Sequence, residues 1–145
     1  MNEKEKASQY FNAGYNCAES VLMAFADAAG FTPETAKRIA SGFGGGAGGT
    51  HAYTCGALSA AIIVLGCKYG GYAPDDAEGK RRLYGKIRSL MNDFETANLS
   101  VNCGELLKIL TREKSAGISP SREAAERPCC RFVASACEIL TDKWK

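Results

Sequence analysis

Apolar residues recur along the chain at three- and four-residue spacing and seldom alternate with polar residues. This spacing is typical of amphipathic α-helices. It predicts an all-α bundle of about six or seven helices, at residues 3–12, 16–30, 32–41, 54–69, 74–94, 102–110 and 128–143. The helix at 54–69 is apolar nearly all round, so we expect it at the centre of the bundle.

Two segments interrupt the helical pattern. Residues 42–49 are too rich in glycine for a helix to persist, so we predict a loop there. The spacing of Gly44, Gly46 and Gly49 fits a dinucleotide-binding pattern, but the segment before it is helical, which disfavours that function. The loop is either a flexible connector or an anion-binding concavity in which backbone amides approach the cysteine sulfurs. Residues 111–121 are polar and predict a second connection, and residues 123–125 a lead-in to the last helix.

Length and charge limit the classes of function. The 145 residues are enough for one domain, spanning 1–145, with a sizeable core. A net charge of +2 is too small for the basic field that binds a phosphate backbone, so nucleic acid is not an expected partner. The charged opening at residues 1–6 does not resemble a secretory signal, and the apolar run from Cys55 to Cys67 is too short to span a bilayer. We therefore expect a cytoplasmic protein.

Seven cysteines are unusually many for a cytosolic chain of this size. Four predicted helix starts carry one in the first turn: Cys17, Cys55, Cys103 and Cys129. Asn16 and Asn102 stand where an N-cap is expected, each followed three residues later by Glu. Because a helix start has unpaired N–H groups and partial positive charge, it favours the thiolate form of a cysteine.

Each of these four cysteines continues into the apolar stripe of its helix, so all four are predicted to point inward. Thiolates gathered in an apolar pocket would repel one another unless a metal centre offset their charge. Four thiolate ligands suit an iron–sulfur cluster or a structural zinc ion. The prediction therefore depends on the four sulfur atoms meeting around a shared centre.

For the remaining candidate residues, a structural or solvent-exposed role is expected more than a functional one. Cys67 and Cys137 are expected to fill core space, and Cys130 is either a neighbour of the fourth ligand or that ligand itself. His51, the single histidine, is expected in an exposed loop, although it could also tune or replace a ligand. A basic face on the fifth predicted helix is either solvated or docks an acidic electron-transfer partner; it consists of Lys80, Arg81, Arg82, Lys86 and Arg88.

The order of the cysteine segments resembles the C_GCAxxG_C_C family over nearly the whole chain. The matching segments are Gly14-Tyr15-Asn16-Cys17-Ala18, Cys55-Gly56-Ala57, Cys103-Gly104-Glu105-Leu106-Leu107, and Cys129 ahead of Val133. The sequence departs at Ala60, where the family pattern has a second glycine. The resemblance implies a redox role. A related domain in split-Soret cytochromes accompanies an iron–sulfur centre, which favours a cluster by analogy.

We therefore predict a redox carrier in which Cys17, Cys55, Cys103 and Cys129 ligate one iron–sulfur cluster, of the two-iron, two-sulfur type. It would exchange electrons with a separate redox partner protein. One alternative is a thiol–disulfide oxidoreductase in which Cys55 attacks and another cysteine resolves. A second is a non-enzymatic protein stabilised by zinc, or one without metal. The apolar helix at 54–69 also suggests a homodimer.

Overall fold

A computed structural model of the chain describes residues 1–117 and 127–145. Within these ranges it contains α-helices and no β-strand, which confirms the predicted all-α class. The helices are α1 (Glu3–Asn12), α2 (Cys17–Ala24), α3 (Ala26–Ala29), α4 (Pro33–Ala40), α5 (Gly56–Tyr69), α6 (Ala77–Asn98), α7 (Cys103–Ser115) and α8 (Cys130–Trp144). A short 3-10 helix, Ser41–Phe43, follows α4.

The helix boundaries differ from the prediction by more than two residues in three places, of which one is α6, which spans Ala77–Asn98 and not 74–94. The second predicted helix is divided at Phe25, which separates α2 from α3, and α3 ends at Gly30 in the left-handed conformation. Helix α7 runs on to Ser115, so the first part of the predicted connection at 111–121 is helical. The remainder of that connection from residue 118, and the predicted lead-in at 123–125, lie outside the described residues.

Helices α2 and α5 share the centre of the bundle. Helix α2 packs against α1, α4 and α5, while α5 also contacts α6 and α8. Leu22, Leu58 and Leu65 are fully buried between these elements. The all-round apolar character of α5 therefore reflects packing within this chain on several sides. The homodimer suggested by that character stays a prediction.

Helix α6 is the longest described helix, but its apolar positions form only one stripe. Leu83, Leu90 and Phe94 are buried along this stripe, and the other sides carry charged side chains. No helix in the described ranges combines the length and the apolarity that crossing a membrane requires.

Candidate functional site

A backbone bridge joins the starts of α5 and α7. Thr54 and Asn102 form an isolated antiparallel bridge, in which the Cys55 amide donates to the Val101 carbonyl and the Cys103 amide to the Tyr53 carbonyl, both at 2.8 Å. The bridge holds two cysteines, separated by 48 positions in the sequence, at one place in the fold. Hydrophobic periodicity cannot reveal such a pairing, because it involves single residues outside the helices.

The cap of α7 strengthens this junction. The Asn102 side-chain oxygen accepts from the Glu105 amide at 3.0 Å, and its side-chain nitrogen donates to the Ala52 carbonyl at 2.9 Å. Asn102 thus caps the helix and fastens the preceding loop with one side chain. The predicted cap is present, and Cys103 is the first residue of α7.

A capping box begins α2. The Asn16 side chain accepts from the Glu19 amide at 2.8 Å, and the Glu19 carboxylate accepts from the Asn16 amide at 2.9 Å. Lys37, on α4, lies 3.3 Å from the other Glu19 oxygen. The box fixes Cys17 as the first residue of α2. The sequence analysis identified the box but missed the contribution of Lys37, which comes from a different helix.

Gly56 allows the start of α5 to approach Cys17. A Cβ atom at position 56 would lie 2.6 Å from Cys17 Sγ and 2.7 Å from the Phe43 carbonyl oxygen. No real side chain tolerates these separations, so the close approach of α2 and α5 requires glycine. At Ala60, where the family pattern has glycine, the methyl group is fully buried in the core.

Cys129 and Cys130 point in different directions at the start of α8. Cys129, at the N-cap position, faces the same cavity as Cys17, Cys55 and Cys103. Cys130 is buried, and its sulfur accepts a hydrogen bond from the Asn12 side chain at 3.9 Å. The geometry therefore associates Cys129, and not Cys130, with the other three cysteines.

All four predicted cysteines line one cavity of about 160 Å³. Its apolar walls come from Phe11, Leu106, Leu107 and Phe132, and its polar lining includes Asn16, His51 and Arg127. Sequence analysis missed Arg127, although its position two residues before Cys129 was a usable signal. Cysteines from four separated parts of the chain thus share a mostly apolar chamber.

Burial raises the pKa values of the cavity thiols. The pKa of Cys55 rises to about 12, first because burial disfavours its thiolate and then because of repulsion from Cys17. The nearby backbone amides of Leu58 and Ala57 act in the opposite direction and lower the pKa of Cys55, but by less than burial raises it. The expectation that helix starts hold these cysteines as thiolates is therefore wrong for Cys55 in the metal-free protein.

Two further thiols follow the same trend. Burial, followed by repulsion from Cys17 and Cys103, raises the pKa of Cys129 to about 11, while the charges of Arg127 and Arg131 oppose this rise. Burial and then Cys17 also raise the pKa of Cys103. This mutual repulsion shows that the cavity cysteines are close enough to influence one another's ionisation.

The glycine-rich segment is an ordered turn against the cavity. The amides of Ala47, Gly48 and Gly49 donate to carbonyls of residues 42–44, and the His51 amide donates to the Gly45 carbonyl. Gly45 lines the cavity. A Cβ atom at Gly46 would lie 2.7 Å from Cys103 Cβ, so this position also requires glycine. Donation from the loop amides to the cavity sulfurs stays a prediction.

The other sequence candidates are placed as follows. His51 is exposed, as expected for a loop residue, but it also borders the cavity. Cys137 is fully buried, in agreement with a core-filling role. Cys67 is exposed, so the expectation that it fills core space is wrong. It lies in the last turn of α5, where that helix leaves the core.

No ready-made coordination sphere is present in the described part of the chain. Across residues 1–117 and 127–145, no three side chains of His, Cys, Asp or Glu are grouped so that they could hold a metal ion. The donor chemistry nevertheless suits a thiolate-ligated group, because four sulfurs face one chamber and Gly56 leaves Cys17 room beside the α5 start. The site thus suits such a group in the type of its donor atoms and in their placement around one cavity.

Comparison with known proteins assigns the chain to a family. Residues 15–143 match the profile described as "Putative redox-active protein (C_GCAxxG_C_C)". The chain belongs to this family. An "Uncharacterized protein" of Archaeoglobus fulgidus (strain ATCC 49558 / DSM 4304 / JCM 9628 / NBRC 100126 / VC-16) is 30% identical over 159 aligned positions, which cover 100% of this chain and 97% of the relative. No solved structure matches the chain.

Membership in the C_GCAxxG_C_C family agrees with the resemblance inferred from the cysteine segments. The matched range includes all four cysteines of the cavity, together with the Asn16 cap and the glycine-rich turn. It therefore supports redox activity as the general function of this protein.

Proposed function

We propose that this C_GCAxxG_C_C protein transfers electrons through an iron–sulfur cluster held by Cys17, Cys55, Cys103 and Cys129. The observation that carries the proposal is that these cysteines, from the starts of four helices, line one cavity. When bound by these cysteines, such a cluster would supply one-electron transfer between a reduced and an oxidised partner. The type proposed is the two-iron, two-sulfur cluster, whose coordination four thiolates complete.

The protein's own residues would hold and shield the group. Phe11, Leu106, Leu107 and Phe132 limit the access of water to the sulfurs. The backbone amides of Leu58 and Ala57 lie near the Cys55 sulfur and lower its pKa, so they would favour a thiolate ligand there. Because the sulfurs are not grouped closely enough for a single ion, the proposal requires them to adjust around the group as it binds.

The raised pKa values link metal binding at this site to proton release. Thiols with a pKa of about 12 at Cys55 and about 11 at Cys129 are protonated at neutral pH in the metal-free protein. A metal centre replaces those protons and offsets the repulsion between the sulfurs. Loading should therefore release protons to the solvent. A separate redox partner protein, a cytoplasmic location and a homodimer stay predictions.

A thiol–disulfide oxidoreductase is the alternative that uses the same cysteines. The attacking group in that chemistry is a thiolate, and its rate depends on the thiolate fraction. Burial of Cys55 and its pKa of about 12 leave little thiolate at neutral pH, so the structure lends no support to Cys55 as the attacking residue. Zinc bound by the same four thiolates is the other alternative.

The first test is the composition of protein purified under strict anaerobiosis. The proposal predicts a brown protein with visible charge-transfer absorption, and iron and sulfide in equal amounts. A colourless protein containing zinc would instead favour the structural alternative. A colourless, metal-free protein whose thiols cycle reversibly with a dithiol reductant would favour the oxidoreductase.

Single serine variants then identify the ligands. We expect Cys17→Ser, Cys55→Ser, Cys103→Ser and Cys129→Ser each to lose most of the visible absorption and bound iron. Cys67→Ser is the matched control, because its side chain is exposed at the far end of α5, and it should retain both. Cys130→Ser distinguishes the two neighbouring cysteines: retained iron supports Cys129 as the fourth ligand, whereas loss in Cys130→Ser alone contradicts it.

A further inference from the structure

Arg127 brings a permanent positive charge to the four-cysteine cavity. Its side chain lines the chamber together with Cys129 and Phe11. A guanidinium group stays protonated under all conditions in which the protein is folded. The surrounding walls are largely apolar, so this charge acts on the sulfurs with less screening than it would in water.

The guanidinium is fixed in position. One of its terminal nitrogens, Nη1, donates to the carbonyls of Phe11 at 2.5 Å and Tyr15 at 2.8 Å. The group also lies over the Phe11 ring, 3.9 Å from the ring centroid. The Arg127 amide donates to the Asn12 side chain at 3.2 Å. These contacts hold the charge at the cavity.

Arg131 provides an internal comparison. It follows Cys129 by two residues, just as Arg127 precedes it by two. Arg131 forms an ion pair with Glu113 of α7 at 2.6 Å, and it is not among the cavity-lining residues. Glu113 therefore offsets part of the Arg131 charge. Within residues 1–117 and 127–145, the contacts of Arg127 are to neutral carbonyls, an amide oxygen and an aromatic ring.

We propose that Arg127 is a positioning residue of the four-cysteine cavity, and that its fixed guanidinium favours the more negative, reduced state of the centre held there. This inference rests on the proposed function. Uptake of one electron from a reductant adds one negative charge to the centre, without making or breaking a bond in the protein. A nearby fixed cation stabilises this added charge, so it raises the reduction potential of the centre.

The first experiment is a redox titration of the loaded protein, followed by its visible spectrum. Arg127→Gln should shift the midpoint to a lower potential, and Arg127→Lys should recover part of the shift. Arg131→Gln should shift the midpoint much less than Arg127→Gln, because Glu113 offsets part of its charge. An unchanged midpoint in Arg127→Gln, or an equal shift in Arg131→Gln, would overturn the proposal. Circular dichroism and thermal unfolding confirm that each variant is folded.

A second experiment uses the metal-free protein, so that failure of the proposed function can be recognised separately. A cavity thiolate attacks a disulfide reagent, forms a mixed disulfide and releases one aromatic thiolate. We compare the anionic reagent dithiobis(nitrobenzoate) with the neutral reagent dithiodipyridine in a Cys67→Ser background, which removes the exposed thiol. The ratio of the two rates cancels any change in thiolate fraction.

Arg127→Gln should lower the ratio of anionic to neutral rates by about threefold to tenfold, and high salt should diminish the difference. Arg131→Gln should change the ratio much less. If no cluster loads but the ratio falls in Arg127→Gln, the proposed function fails while the charge of Arg127 at the sulfurs is upheld. An unchanged ratio in Arg127→Gln overturns the role of Arg127 whether or not a cluster loads.

Discussion

The two ends of helix α5 differ in their electrostatics. At its N-terminal end, four cysteines line one cavity, and burial, followed by repulsion between the cysteines, raises the pKa values of Cys55, Cys103 and Cys129. At its C-terminal end, about 20 Å away along the helix, unlike groups attract one another. We refer to the first region as the cysteine end and to the second as the cation–aromatic end.

The cation–aromatic end consists of Lys68, Tyr69, Lys86 and Trp144. The Lys68 ammonium lies 4.4 Å from the centroid of the Trp144 ring, and the Lys86 ammonium 4.6 Å from that of Tyr69. Lys68 and Tyr69 also donate to the Trp144 carbonyl, and Lys86 donates to the Lys143 carbonyl. Cations and donors thus satisfy the last carbonyls of α8.

This contrast distinguishes a region whose contacts stabilise the fold from a region whose groups gain little from their own contacts. Every group at the cation–aromatic end is stabilised by its neighbours within the chain. The thiols of the cysteine end instead gain little from one another and are held together by the bridge, the capping box and the close approach at Gly56. Such an arrangement is typical of ligand-binding and catalytic sites, where groups with perturbed pKa values are clustered.

The largest expected effect is a loss of stability of the metal-free protein in alkali. In the folded protein the pKa is about 12 for Cys55 and about 11 for Cys129, against an ordinary value of 9.0. Between pH 9 and these values the unfolded chain binds fewer protons than the folded one, so the free energy of unfolding falls as pH rises. Each thiol contributes a slope of about 1.4 kcal/mol per pH unit.

Urea unfolding at a series of pH values measures this dependence. Cys55→Ser should show a shallower decline above pH 9 than Cys67→Ser, whose thiol is exposed. The cation–aromatic end should act in the opposite direction. Burial opposes ionisation of Tyr69, but the neighbouring Lys86 and Lys68 together outweigh it and lower the pKa of Tyr69, so ionisation there favours the folded state. A decline unaffected by Cys55→Ser would contradict the account of the cysteine end.

The next effect concerns the two glycines of α5. At Gly56 an added Cβ would meet Cys17 Sγ and the Phe43 carbonyl, whereas at Gly66 it would meet no atom within 4 Å. Gly56→Ala should lower the free energy of unfolding by about 1–3 kcal/mol, because α2 and the 3-10 helix that contains Phe43 must move away from the start of α5. Gly66→Ala should raise it by about 1 kcal/mol through improved helix propensity. Denaturant titrations compare the two variants. Equal changes in the free energy of unfolding would show that the close approach of α5 to Cys17 does not depend on glycine at position 56.

The smallest expected effect lies at the cation–aromatic end. The Tyr69 hydroxyl donates to the Trp144 carbonyl at 3.1 Å, so Tyr69→Phe should lower the free energy of unfolding by about 1 kcal/mol. The control Tyr84→Phe, at an exposed position on α6, should change it by less than about 0.5 kcal/mol. Iron content and the visible spectrum should stay unchanged in both. Loss of iron in Tyr69→Phe would mean that the two ends are coupled.

Local signals in the sequence were sufficient for most of the helices. Asn16, Thr32 and Asn102 are the caps of α2, α4 and α7, as their side-chain chemistry indicates. The break at Phe25 was not predictable, because the apolar stripe continues across it into α3. The exposure of Cys67 was also missed, since an apolar run does not reveal where a helix leaves the core.

The all-α class, the placement of the cysteines near helix starts and the resemblance to the family were all predictable before the fold was known. These features follow from short-range periodicity, capping and spacing, which act within a few residues. The fold was needed to learn that Cys129 joins the cavity while Cys130 does not, that Arg127 lies beside Cys129, and that burial raises the pKa of Cys55. Those outcomes depend on long-range packing, because burial and charge at one residue are set by neighbours far away in the chain.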